Sequence, residues 1–273
     1  MIKFRILGGI TLLFILAMMD EKCYAQQSSV AIKIETIQLN GVAVDIKYGI
    51  NISKGDILVL PGWNFSRKCW CDSSTFCTKA ISAGYRLIFP EMGKSIYASH
   101  YYQETRNDWR IYPTLLWLAD SLIPYLQNSK GIFSKKRNYI IGLSTGARGV
   151  VLLCEQLPAF FNAGAALSGD YDQTTEPNDN LIRGVYGPFA SFQQRWQTED
   201  NPIYKLQNLR TPIYFGHAIN DPIVPSVQTS YFFTQLNKKI PGNKCQLSIK
   251  QGGHYFKYWD SEVNQILNYF SKF

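Results

Sequence analysis

Two hydrophobic periods take turns along this chain. Residues 31–35 (Ala-Ile-Lys-Ile-Glu) and 42–46 (Val-Ala-Val-Asp-Ile) alternate apolar and polar side chains, the period of two that marks a half-buried strand, and they predict an antiparallel sheet edge. Residues 56–60 (Asp-Ile-Leu-Val-Leu) are instead apolar almost without interruption, as a strand covered on both faces must be. Similar runs at 85–90, up to Gly142, at 163–170, at 211–216 and at 246–249 predict further strands. Between them the spacing lengthens to that of helices. One is expected over 75–83, closed by Gly84 as a C-cap. Pro113 opens another towards Gln127, with Leu116, Ala119, Leu122 and Ile123 on one face and a kink at Pro124. A third follows Gly146, and a fourth covers about 226–237. In the last, Val263, Ile266, Leu267 and Phe270 repeat at i, i+3, i+4 and i+7 behind Asp260 and Ser261 as capping candidates. Alternation of strand and helix predicts an α/β fold: a mostly parallel central sheet with helices on both faces. The stretch 171–210 has room for one or two short helices over the strand ends, and not for a large cap domain.

Composition adds a boundary. With 46% hydrophobic and 18% charged residues the chain is an ordinary globular protein. Its first residues differ, because Lys3 and Arg5 precede an uncharged apolar run at 6–19, followed by Asp20-Glu21-Lys22 and Cys23-Tyr24-Ala25. That reads as a secretory signal peptide, with a run shorter than a spanning helix needs and a cleavage point after Ala25. An uncleaved anchor is the rival reading; the polar residues before Cys23 disfavour a lipid-attachment box. The expected organisation is therefore a signal peptide at 1–25 and a single domain at 26–273, exported to the periplasm or beyond, with no stable membrane insertion once the leader is removed.

The net charge is +8, but the basic residues are scattered. Their densest cluster, Lys135-Lys136-Arg137, precedes a buried strand and reads as a solvated loop, so a nucleic-acid partner is not expected. Six cysteines are present. Once Cys23 is removed with the leader an odd number remains. Cys69, Cys71 and Cys77 invite a local disulfide in which Cys77 joins one of the other two; a zinc site lacks a fourth ligand and a nearby histidine. Cys154, on the helix after Gly146, reads as a small buried hydrophobe.

Chemistry concentrates at Gly142-Leu143-Ser144-Thr145-Gly146, where a strand runs through a tight turn into a helix. The pattern Gly-x-Ser-x-Gly in that setting is a nucleophile elbow, whose glycines let neighbouring backbone approach closely around the serine. A serine hydroxyl needs a base to take its proton, and a carboxylate behind the base. Of the three histidines, His254 alone follows the last predicted strand, flanked by Gly252-Gly253. His217 and His100 are left with structural or pocket roles. Asp221, in Asn-Asp-Pro-Ile-Val-Pro just beyond a strand end, is the preferred acid, and Asp170 the runner-up. The backbone N–H groups of Thr145 and Trp63 are the expected oxyanion donors, with Asn64 able to shift that geometry by one residue. Asn64, Phe65 and Tyr97 are candidate pocket residues, and the long loop 91–110 is a candidate wall of the crevice.

These motifs, together with Gly252-Gly253-His254-Tyr255-Phe256-Lys257-Tyr258-Trp259 and the stretch from Phe89-Pro90 to Tyr97, resemble the α/β-hydrolase superfamily. The closest likeness is to esterase D-like esterases, which include S-formylglutathione hydrolases, feruloyl esterases and mycolyltransferases. Two features depart from that group: the loop Pro61-Gly62-Trp63-Asn64, which lacks a His-Gly pair, and the Cys69-Trp70-Cys71 insertion. The resemblance implies a serine hydrolase that cleaves a small-molecule or polysaccharide-linked carboxylic ester through an acyl-enzyme on Ser144, with no metal and no organic cofactor. A peptidase of prolyl-oligopeptidase type is the nearest alternative, since Asn220-Asp221-Pro222-Ile223-Val224-Pro225 also looks like the acid loop of those enzymes. A non-catalytic binding module on the same scaffold is the alternative from another class.

Overall fold

The first hairpin follows from its alternating pattern and its turn. In a computed structural model that describes residues 31–109, 112–134, 137–198 and 200–273, β1 (Lys33–Leu39) and β2 (Val42–Tyr48) pair antiparallel. Asn40 and Gly41 between them both have positive φ, 52° and 80°, the requirement of a two-residue turn whose twist suits the strands. The expected signal peptide, like Lys135 and Lys136, lies outside the described residues. Ile32–Phe273 make up one compact unit.

β3 (Gly55–Leu60), β4 (Tyr85–Pro90), β5 (Asn138–Leu143), β6 (Ala163–Leu167), β7 (Ile213–Ala218) and β8 (Gln246–Lys250) complete an eight-stranded sheet of order β1-β2-β4-β3-β5-β6-β7-β8. β2 joins β4 antiparallel, and every pairing from β4 to β8 is parallel. The pleat divides each central strand between two cores. Leu58 and Leu60 enter one, Ile57 and Val59 the other, all at most 1% exposed.

Helices cover both faces. On the Leu58 side lie α3 (Thr114–Leu116), α4 (Ile123–Lys130), α5 (Thr145–Gln156) and α8 (Val227–Lys239). On the Ile57 side lie α1 (Cys69–Ser73), α2 (Phe76–Ser82) and α9 (Phe256–Phe270). The region between β6 and β7 contributes α6 (Asn180–Tyr186), α7 (Gln193–Thr198) and three short 3-10 turns rather than a cap domain. Its Ile182, Val185, Tyr186 and Trp196 pack with Ile96 and Trp109 of the loop after β4 in a third, smaller cluster. Among the described residues no helix is long and apolar enough to cross a membrane.

Two helix expectations change in detail. Just ahead of Pro124 the residues form a π-helical turn, Trp117–Leu122, in which the Ile123 N–H reaches back to Leu118 O. The wider turn accommodates a proline that can neither donate nor tolerate the ordinary preceding carbonyl. The final helix starts ahead of Asp260 and Ser261, so neither caps it: Tyr255, extended, is its N-cap and Phe256 its first residue. Asp260 instead accepts from Thr75 N (2.6 Å) and Thr75 Oγ1 (2.7 Å), tying α9 to the start of α2. The apolar contact of Phe256 with Trp70 and Trp259 makes the earlier start worthwhile. Cys71 and Cys77 form the disulfide, Cys69 is free, and Cys154 is fully buried.

Candidate active site

The elbow is built from close backbone contacts. Leu143 ends β5, Thr145 begins α5, and Ser144 between them has φ 54° and ψ −126°, a conformation that costs a non-glycine residue about 1–3 kcal/mol. The glycines make it affordable. A Cβ on Gly142 would lie 2.2 Å from Gly146 O, and one on Gly146 would lie 2.6 Å from Leu60 O and Pro61 O. Any larger residue at either position would push the serine out of place.

His254, on the loop after β8, meets this serine. Its Nε2 is 2.9 Å from Ser144 Oγ and its Nδ1 2.8 Å from Asp221 Oδ2. Trp259 fixes the ring edge-on at 5.2 Å, its own indole N–H donating to Ser168 Oγ at 3.1 Å. Gly253 leaves room for the Tyr255 ring, which a Cβ would meet at 2.6 Å. The glycines beside His254 therefore provide space as well as freedom.

Asp221, fully buried as a side chain, lies in the turn after β7. Its Oδ1 accepts from Ile223 N and Val224 N, both at 2.9 Å. Burial alone would raise its pKa, but hydrogen bonds from His217, His254 and the two amides hold it well below the usual carboxylate range. His217 is the unexpected neighbour. It is 0% exposed, with Nε2 2.9 Å from Val224 O and 3.4 Å from Asp221 Oδ2, and Nδ1 2.6 Å from Thr229 Oγ1. An Nε2–H tautomer that accepts from Thr229 satisfies every one of these contacts. Asp170, the other acid considered, turns instead to Arg148, with Nη1 to Oδ2 at 3.0 Å.

On the other side of the serine lie the two expected oxyanion donors. As the first residue of α5, Thr145 has a backbone N–H without an intrahelical partner. The loop after β3 packs against the elbow closely enough that a Cβ on Gly62 would lie 3.2 Å from Ser144 Cβ. In that loop Asn64 N donates to Gly93 O (2.8 Å) and Phe65 N to Gly62 O (3.1 Å). Trp63 N has no such backbone acceptor among the described residues.

A cavity of about 100 Å³ opens beside Ser144 and Thr145. Asn64, Phe65 and Tyr97 do not line it, contrary to expectation. Tyr97 is fully buried, its ring fitting over Gly149 and its hydroxyl donating to Pro61 O at 2.8 Å, so it supports the loop after β3 from behind. Phe65 packs on Phe256 and Trp259, and Asn64 is exposed in a left-handed turn with φ 55°. The walls come from Ile96, from Ile223, Val224 and Pro225, and from the region after β6: Asp170, Glu176, Asp179, Leu181 and Ile182. Behind them Arg148, 0% exposed, donates to Asp170, Gln173 Oε1 (2.6 Å), Ile96 O (3.2 Å) and Asp200 O. One sequence signal for this network existed: Arg148 is the lone cation in the otherwise apolar stretch Ala147 to Cys154. Among the described residues no cluster of three or more histidine, cysteine or acidic side chains is arranged to hold a metal ion.

The model of the prolyl oligopeptidase family matches residues 90–273, a stretch that includes Ser144, Asp221 and His254. This chain belongs to the prolyl oligopeptidase family. Members of this serine hydrolase family share their fold with the esterases that the sequence resembles. A fluorophosphonate-binding serine hydrolase of Staphylococcus aureus superposes with TM-score 0.68 at 13% identity, covering 88% of this chain and 98% of its own. An S-formylglutathione hydrolase of Agrobacterium tumefaciens gives 0.67 at 11%, covering 88% and 94%. An acylaminoacyl peptidase of Pyrococcus horikoshii gives 0.68 at 12%, covering 88% of this chain but 41% of its own. No curated protein matches the sequence.

Proposed function

We propose that this serine hydrolase cleaves a carboxylic ester through an acyl-enzyme on Ser144. The observation that carries the reading is the unbroken relay from Ser144 Oγ to His254 (2.9 Å) and on to Asp221 (2.8 Å). In the first half-reaction Ser144 Oγ attacks the scissile carbonyl carbon while His254 Nε2 takes the hydroxyl proton. Asp221, ionised throughout the neutral range, holds the tautomer and stabilises the imidazolium. Negative charge collecting on the substrate oxygen meets the Thr145 and Trp63 N–H groups, each worth on the order of 3 kcal/mol in such a role. The intermediate collapses as His254 returns the proton to the leaving alcohol. Water, deprotonated by the same imidazole, then releases the acid.

Turnover of short p-nitrophenyl esters, with fluorophosphonate labelling of wild type and Ser144→Ala, tests this reading. We expect labelling at Ser144 and its loss in the variant; an unlabelled wild type sinks the proposal. Family membership favours a second reading, cleavage of a peptide bond by the same residues, and p-nitroanilide substrates separate the two. We further propose export after removal of residues 1–25, checked by mass spectrometry of the secreted N-terminus, which should begin at Gln26.

A further inference from the structure

In the loop after β3, polar contacts tie down the residues around Trp63 but not Trp63 itself. Tyr97 donates its hydroxyl to Pro61 O, Asn64 N donates to Gly93 O, and Phe65 N to Gly62 O. Trp63 makes no backbone hydrogen bond among the described residues. What it has is a side-chain contact: its half-buried indole meets Trp109, of the loop after β4, edge to face with ring centroids 4.5 Å apart. A peptide unit without hydrogen bonds turns on two soft torsions per residue, so the anchorage of the side chain decides where its N–H points.

Trp109 is in turn fixed by packing. It is 6% exposed, and its indole N–H is buried without a hydrogen-bond partner among the described residues, an unpaired donor that stability alone disfavours. The Arg106 guanidinium covers the ring at 4.7 Å from its centroid. Helix α6 presses on its edge: a Cβ on Gly184 would lie 2.1 Å from Trp109 Cζ3 and 2.6 Å from Cη2, so only a glycine lets helix and ring come this close. Arg106 N, donating to Gly184 O at 2.9 Å, and Thr105 Oγ1, donating to Val185 O at 2.6 Å, clamp the loop to the same helix. α6 also carries Leu181 and Ile182, which line the cavity beside Ser144. One short helix therefore bears on the cavity directly and on Trp63 through Trp109.

We infer that Trp109 is a positioning residue for the oxyanion side of the site: seated on Gly184, it sets the direction of the Trp63 N–H. This rests on the reading of Ser144 as the nucleophile and of Trp63 as an oxyanion donor. Trp109 acts through Trp63 and not on the substrate. A donor displaced by about 1 Å forfeits on the order of 10²-fold in rate.

Gly184→Ala is the cleanest probe, because alanine suits a helix interior better than glycine and its closest new contacts are all with the Trp109 ring. With short p-nitrophenyl esters kcat should fall by about 10- to 100-fold while KM changes by less than about threefold. Trp109→Ala should behave alike, and Trp109→Phe, which keeps a ring against Trp63, should retain most of the activity. Combining Gly184→Ala with Trp109→Phe makes room for the methyl group, so kcat should recover relative to Gly184→Ala alone. A trifluoromethyl ketone separates positioning from packing. Ser144 Oγ adds to its carbonyl carbon, His254 takes the hydroxyl proton, and the carbonyl electron pair becomes an oxyanion that needs the donors; a methyl ketone of the same shape binds without that step. In Gly184→Ala, affinity for the trifluoromethyl ketone should fall in parallel with kcat/KM, and affinity for the methyl ketone should stay. Should Trp109→Ala not fold, Gly184→Ala and the double variant decide. If kcat and trifluoromethyl ketone affinity remain within about twofold of wild type, whatever the melting temperature does, Trp109 only packs the loop and the inference is overturned while the hydrolase reading stands. If wild type neither cleaves esters nor is labelled at Ser144 by fluorophosphonate, both fall.

Discussion

The two flanks of Ser144 are made differently. On one, His217 lies near the end of β7 while Asp221 and His254 sit on the turns that follow β7 and β8, and each polar atom of their chain meets a partner within 3.4 Å. On the other, Asp170, Glu176 and Asp179 come from the irregular stretch between β6 and β7, and of the three only Asp170 has an ion-pair partner among the described residues. The proposed reaction chemistry thus rests on strand ends, whose positions the sheet dictates. The cavity wall rests on a segment whose length and composition the sheet leaves open, as is usual for scaffolds that host many chemistries.

The sharpest way to break this division is to remove the chemistry while keeping the pocket. Ser144→Ala or His254→Ala should reduce kcat by about 10⁴- to 10⁶-fold, with little change in the melting temperature. Asp221→Asn should cost about 10⁴-fold if it orients His254, whereas Asp170→Asn should leave the hydrolysis of a neutral ester far less affected. The reverse ranking would exchange the roles of the two acids.

Arg148→Met tests the opposite flank. It leaves Asp170 and the Asp200 carbonyl without their buried donor, and loss of one partner from such a pair costs on the order of 3–5 kcal/mol. At about 2–4 °C per kcal/mol for a chain of this size, calorimetry should record a drop of roughly 6–20 °C. A smaller effect is expected of His217→Gln. One hydrogen bond towards an ionised group, at about 1.4 kcal/mol, predicts a tenfold fall in kcat with KM nearly constant. An unchanged kcat would make His217 a packing residue only.

The smallest and most specific expectation concerns pH. Asp221 has a folded pKa below its unfolded one, so its ionised form stabilises the fold above the unfolded value, about 3.9, and this contribution fades as pH falls further. The gap in melting temperature between wild type and Asp221→Asn should therefore be widest near neutrality and narrow below about pH 4. A constant gap would mean that the hydrogen bonds to Asp221 do not favour its charge.

How much of this was legible in the chain varies with the physics involved. Ser144 was readable because a strained turn demands Gly142 and Gly146, and that demand leaves a local pattern. The strands were readable because burial on one face or two writes a period of two or a continuous apolar run. The start of α9 was not, because Asp260 looks like a cap in sequence but serves Thr75, far away in the chain. Tyr97 was assigned to the pocket from its loop, yet the absence of a side chain at Gly149 draws its ring into the core.

The sequence by itself determined the alternation of strands and helices, the elbow, and the order in which serine, acid and histidine follow the strands, since all of these rest on local backbone geometry and on periodic burial. Only the tertiary structure decided which way each polar side chain turned: Asp170 to Arg148, His217 to Asp221, Glu176 and Asp179 to the cavity. Those choices depend on charges and volumes brought together from residues distant in sequence, where desolvation and partner distance, not propensity, set the energy.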